Sequence, residues 1–199
     1  MRQPGEERRH TVEEYLRLER DAQGKHEFHD GEILAMSGGT IAHSLITSNI
    51  NAALHDRLKS KPCRVYDSNL RVCVSRIRRY VYPDVTIICG PPQLDPTDSL
   101  AETVINPRVV VEVLSPSTEA YDRKGKFDGY RQIESFEEYV LVYQANPRIE
   151  VFLRQSDGSW AMNVFTGLEA TARLRSLQID LPLSDAYAGV EFPRAGSVA

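Results

Sequence analysis

The spacing of apolar residues divides the chain into alternating helical and extended stretches. Thr11 opens the first helix signature as an N-cap, with Glu14 as its capping-box partner and Tyr15 and Leu18 at helical spacing. HEFHDGEILAMSGG predicts a hairpin. Asp30-Gly31 supplies a two-residue turn that tolerates positive φ, and Phe28, Ile33 and Ala35 alternate as strand residues do. A second helix is expected from Ile41 to about Leu58. Leu45, Ile46, Ile50, Ala53 and Leu54 form one stripe of it, and the stretch 37–40 provides loop and cap.

Beyond Lys61-Pro62 the pattern turns extended. Strands are predicted over Cys63–Tyr66, Leu70–Val74 and Val85–Cys89, with Pro83 breaking the chain before the third. Residues 91–107, rich in Pro and Asp, read as a surface loop. Val109–Leu114 is apolar on both faces except for one carboxylate, as a central strand should be. Ser115-Pro116 then offers an N-cap and an N1 proline for a helix reaching about Ile133. Further strands are expected at Tyr139–Tyr143, Ile149–Leu153, Trp160–Phe165 and near Thr171–Leu174, before a short helix around Ser184–Tyr187. No repeat or linker interrupts this order. It predicts one α/β (α+β) domain over residues 1–199, with 1–10 and 194–199 as loose tails.

Composition narrows the function. With 41% hydrophobic and 26% charged residues, disordered and fibrous classes are excluded. The 24 Lys+Arg against 28 Asp+Glu leave a formal charge of -4, which excludes a polycation coating nucleic acid but not a local basic stripe. The charged N-terminus lacks the apolar core of a signal peptide, and no apolar run approaches the roughly 20 residues of a membrane span. A cytoplasmic protein without membrane contact is expected. Cys63, Cys73 and Cys89 are odd in number and have no CxxC spacing, so reduced thiols are expected rather than a disulfide or zinc site.

Candidate chemistry begins with Glu112, in the middle of VVVEVL. An unpaired carboxylate there would cost several kcal/mol, on the order of a domain's whole stability, so a cation is required. Asp84, after Pro83, should mark where the chain enters the sheet. Two acids on neighbouring strands make an oxygen-rich pocket suited to Mg²⁺ or Mn²⁺. In TEAYDRKGKFDGYRQI, Lys126 shares the inward face of Tyr130 and Ile133, while Lys124 points toward water. A lysine facing two carboxylates can neutralise them or stabilise an anionic transition state. Arg64, Arg71, Arg76, Arg78 and Arg79, against the single acid Asp67, could track a DNA backbone; a charged, aggregation-resistant sheet edge is the competing reading.

VYPDV, then VEVLSPST and YDRKGKF, resembles the restriction-endonuclease family of the PD-(D/E)xK nuclease superfamily. The resemblance extends over nearly the whole chain, through HDGEILAMSGGT, HSLITSNI, CRVYDSNLRV and EYVLVYQANPRIEVF. It implies a restriction-endonuclease-like mixed central sheet flanked by helices, and Mg²⁺- or Mn²⁺-dependent hydrolysis of DNA. Leu114 stands where the usual signature has its lysine; the family pattern moves that lysine onto the next helix, at Lys126. Asp84 and Glu112 are implied as metal ligands with the Val113 carbonyl. Glu32 matches an N-terminal acidic position, and His43 and Asp67 become site neighbours. A homodimer follows by resemblance, since two sites cut two strands. Two other readings stay open: a catalytically inactive nuclease-fold binding or structural protein, and a hydrolase of small phosphoesters.

Overall fold

The computed structural model describes residues 9–36, 38–115 and 119–192. Helix α1 (Val12–Asp21) starts at the capping box: the Thr11 hydroxyl accepts from the Glu14 amide and the Glu14 carboxylate accepts from the Thr11 amide. Strands β1 (His26–His29) and β2 (Glu32–Ala35) form a hairpin in register about Asp30-Gly31. Both turn residues have positive φ, 46° and 106°, the geometry that favours Asp-Gly. Helix α2 (Ile41–Leu58) is capped by Thr40 and buries Ile46, Ile50, Leu54 and Leu58 at a spacing of four.

Two larger sheets follow. β1 and β2 join β4 (Arg71–Val74), β5 (Arg79–Val81) and the short β7 (Thr103–Val104) in the order β2-β1-β5-β4-β7. The six-stranded sheet runs β11-β10-β9-β8-β6-β3, built from β3 (Cys63–Asp67), β6 (Val85–Cys89), β8 (Val109–Leu114), β9 (Glu138–Tyr143), β10 (Arg148–Arg154) and β11 (Trp160–Thr166). β8 and β9 pair in parallel and the other pairs are antiparallel, which makes the sheet mixed. A two-stranded ribbon of β12 (Thr171–Leu174) and β13 (Ile179–Pro182) leads into the short α4 (Leu183–Ala186).

Alternation along β8 splits the interior. Val109, Val111 and Val113 pack with α2, whereas Val110 and Leu114 face the aromatic cluster of Tyr130, Phe136 and Tyr139. Glu112 lies on that second side, beneath a helical segment. There Tyr121–Lys126 winds as a π-helix before passing into α3 (Phe127–Tyr130). The helix expected as far as Ile133 therefore ends earlier and contains a wide turn, a form that concentrates at functional sites. Gly125 sits inside it where any Cβ would lie 2.6 Å from the Tyr121 ring. The expected N1 proline Pro116 with the two residues after it, the loop residue Ser37 and most of both tails lie outside the described residues.

The cysteine expectation is corrected. Cys63 and Cys89 are joined by a disulfide, because antiparallel pairing of β3 with β6 places them directly opposite each other. Spacing along the chain gave no hint of that register. Cys73 alone is free, and it is buried. No helix among the described residues is long and apolar enough to cross a membrane.

Candidate active site

The site forms where β6 begins and β8 ends. Register pairs Val85 with Val111, so Asp84, one residue earlier, is held beside the outgoing end of β8. Its Oδ2 accepts the Val113 amide at 2.7 Å and lies 3.2 Å from His43 Nε2. Pro83 has no amide to donate, which suits the point of entry into the ladder. His43 comes from the first turn of α2, so the helix cap fixes its approach to Asp84. The Asp84 hydrogen bond draws the His43 imidazole toward its protonated form, its pKa lying above the ordinary value.

Glu112 is 3% exposed. Lys126 Nζ lies 3.1 Å from its Oε1, and the Tyr130 hydroxyl donates to the same oxygen at 3.1 Å. The ammonium also stands 3.1 Å from Asp122 Oδ1 and 3.5 Å from Glu27 Oε1. Burial pushes the Glu112 carboxyl well above the usual range, with Asp122, Asp84 and Glu27 adding to the push against the opposing charge of Lys126. Burial alone would lower the Lys126 ammonium, but Glu112, Glu27 and Asp122 outweigh it and keep the lysine charged. Three carboxyl groups, those of Glu112, Asp122 and Glu27, stand around the one ammonium, and as carboxylates they carry more negative charge than it can balance.

That excess tests whether a divalent cation fits. Glu27 Oε1 and Asp122 Oδ1 are buried oxygens with no hydrogen-bond donor, beside a single ammonium. The oxygen donors of Asp84, Glu112 and the Val113 carbonyl are of the hard type that Mg²⁺ and Mn²⁺ prefer. Among the described residues no three His, Cys, Asp or Glu side chains are grouped to hold one ion. On charge and donor chemistry the residues fit.

Other expected site residues fall into different places. Glu32 is exposed on β2, opposite His29, and is not brought into the cluster. The acid that enters from this hairpin is Glu27, 6% exposed, held 3.2 Å from His29 Nε2. Tyr121 joins them, with its hydroxyl 2.7 Å from His29 Nε2. Strand alternation could have indicated Glu27, since Phe28 faces α1 and its neighbours must face the other way. Asp122 carried a signal too, four residues before Lys126 on one helix. Asp67 caps the turn after β3 through Asn69 and lines a cleft of about 790 Å³ that His43, Asp84 and Lys25 also border.

The arginine stripe does not act as one surface. Arg71, expected to bind DNA, is 4% exposed and locked to Asp98, Thr103 and Tyr82, because β4 is an interior strand. Arg78 is exposed and paired with Asp30. Arg79 is half-buried and donates to the Gly125 carbonyl, under the π-helical turn. Arg76 remains exposed, beside Arg78 and Gln132 in a shallow hollow.

Residues 12–184 match the family model Uma2, whose description is "Putative restriction endonuclease". The chain belongs to the Uma2 family. Two Synechocystis proteins are similar over most of its length, both named as uncharacterized. Slr1290 is 35% identical, covering 92% of this chain and 93% of its own, and sll1609 is 31% identical, covering 85% and 94%. A crystal structure titled as a putative nuclease of DUF820 from Anabaena variabilis ATCC 29413 superposes with a TM-score of 0.72 at 17% identity, over 89% of this chain and 97% of that one. The Uma2 chain thus has the restriction-endonuclease-like fold expected from its motifs, while these likenesses leave its chemistry to the site itself.

Proposed function

We propose that this Uma2 protein is a metal-dependent endonuclease that hydrolyses DNA phosphodiester bonds. The observation that carries the reading is Asp84, at the entry to β6 and lining an open cleft, set by the register opposite Glu112 of β8, which has a buried lysine ammonium 3.1 Å away. Asp84, Glu112 and the Val113 carbonyl would hold Mg²⁺ or Mn²⁺. When bound, the ion polarises the scissile phosphate and lowers the pKa of a bound water.

The chain's own groups do the remaining work. Lys126, desolvated and kept charged by three carboxylates, balances negative charge that develops on the phosphate or orients the attacking water. Tyr130 fixes one Glu112 oxygen, and the Val113 amide together with His43 fixes Asp84, so neither ligand must be ordered when substrate arrives. A homodimer would supply the second site needed to cut both strands. One observation favours the alternative of a catalytically inactive nuclease-fold binding or structural protein: Asp84 Oδ2 already has two partners, and an ion must share it with them.

Metal binding separates the two. Mn²⁺ should raise the melting temperature of the wild type, because the ion binds the folded state and relieves its excess negative charge. Asp84→Asn should lose most of that rise in a thermal melt. Equal shifts in both proteins would place the metal elsewhere.

A further inference from the structure

Once Arg71 is assigned to the interior and Arg78 and Arg79 to protein partners, the expected arginine track no longer reaches the candidate site. The open route to Asp84 lies on the other side, along α2. Ser44, Ser48 and Ala52 recur every four residues and are exposed, while the apolar stripe of the same helix is buried. Thr47 and Asn51 border the same cleft, half-buried. The side chains of Ser44, Ser48 and Asn51 make no hydrogen bond to any described residue. Thr47, by contrast, is bonded to the His43 carbonyl.

The opposite wall carries one cation. Lys25 Nζ is held 2.7 Å from the Ser68 carbonyl and 5.6 Å over the Tyr82 ring, so its charge stays at the cleft rather than sweeping through solvent. Asp67 and Asp84 line the same cleft. Arginines placed beside so many acids are captured by them, as Arg123 is by Glu119 and Glu150. Neutral hydroxyl and amide donors escape that capture and remain free for phosphate oxygens, which Ser, Thr and Asn side chains commonly bind.

We infer that the cleft along α2 is the seat of the sugar–phosphate backbone of DNA next to the reacting phosphate, contacted by Ser44, Ser48, Asn51 and Lys25. The inference rests on the nuclease reading and deepens it by locating the substrate. Contacts of this kind position a strand without reading its sequence, so little base preference is expected from this wall.

Charge substitution at Ser48 tests the inference, with Asn163 as control. Both side chains are exposed, and Asn163 lies on the edge strand β11, away from the cleft. Binding of a short mixed-sequence DNA duplex would be followed by fluorescence anisotropy in Ca²⁺ over a range of salt concentrations. Ser48→Glu should weaken binding about tenfold, and Ser48→Lys should tighten it and steepen the log–log salt slope by about one unit. Lys25→Gln should flatten the slope by about one unit. The same charges at Asn163 should move affinity less than about twofold, through long-range effects alone. Equal shifts at Ser48 and Asn163 would overturn the inference. So would wild-type binding that Ser48 variants leave unchanged, though the nuclease reading would then stand. A wild type that binds no DNA would overturn both.

Discussion

Lys126→Ala should lower the rate of DNA cleavage by a factor of about 100 or more, the scale of losing one charge partner of a transition state. Lys126 and Lys124 share a helical turn and a charge, so their long-range effect on DNA should be similar. Lys126 is 7% exposed, among three carboxylates, whereas Lys124 is exposed to solvent. Lys124→Ala should therefore leave cleavage and affinity nearly unchanged. Removing the ammonium also strands Glu112, Glu27 and Asp122 without their cation. Lys126→Met, closer in volume, separates the lost charge from a lost contact; it should be as inactive as the alanine variant while folding more stably. Cleavage by Lys126→Ala at the wild-type rate would remove the lysine from the mechanism.

Asp98→Asn should cost about 3 kcal/mol of stability, because it leaves the buried Arg71 guanidinium only the exposed Glu102 carboxylate, 3.9 Å away, as a counter-charge. The pair lies 2.8 Å apart with both residues in the interior, and the Thr103 hydroxyl bridges them by accepting from Arg71 and donating to Asp98. Replacing both partners, as Arg71→Met with Asp98→Leu, should recover much of the loss. Burial pulls the Asp98 carboxyl upward, but the Thr103 and Arg71 bonds outweigh it and hold its pKa below the usual value. A lowered pKa stabilises the fold above the unfolded value near about 3.9 and ceases to do so as pH falls through the folded value. Urea unfolding across the acid range should accordingly show a steeper loss for the wild type than for Asp98→Asn. A cost within about 0.5 kcal/mol would mean that Arg71 finds water or another acceptor.

How far residue patterns reached depended on whether the signal was local. The capping box at Thr11, the Asp30-Gly31 turn and the α2 stripe are set by neighbours a few residues apart, and the structure places all three as their spacing predicts. Glu112 stood out because one charge among valines is conspicuous at any register. What pairing alone decides stayed hidden. The Cys63–Cys89 disulfide depends on β3 lying against β6, and burial of Arg71 depends on β4 being flanked by β5 and β7. Short strands such as Thr103–Val104 are too brief for periodicity to register. Alternation about Phe28 puts Glu27 on the opposite face of its strand, but that this face is covered by Tyr121 and Lys126 is decided by the tertiary fold alone.

Plasmid cleavage in Mg²⁺, Mn²⁺ or EDTA, with wild type and Asp84→Asn compared side by side, tests the proposed activity most directly. The nuclease reading predicts nicked or linear DNA with either ion for the wild type, none in EDTA, and loss of cleavage by at least about 100-fold in Asp84→Asn. Cleavage that persists in EDTA, or that Asp84→Asn leaves intact, would contradict it.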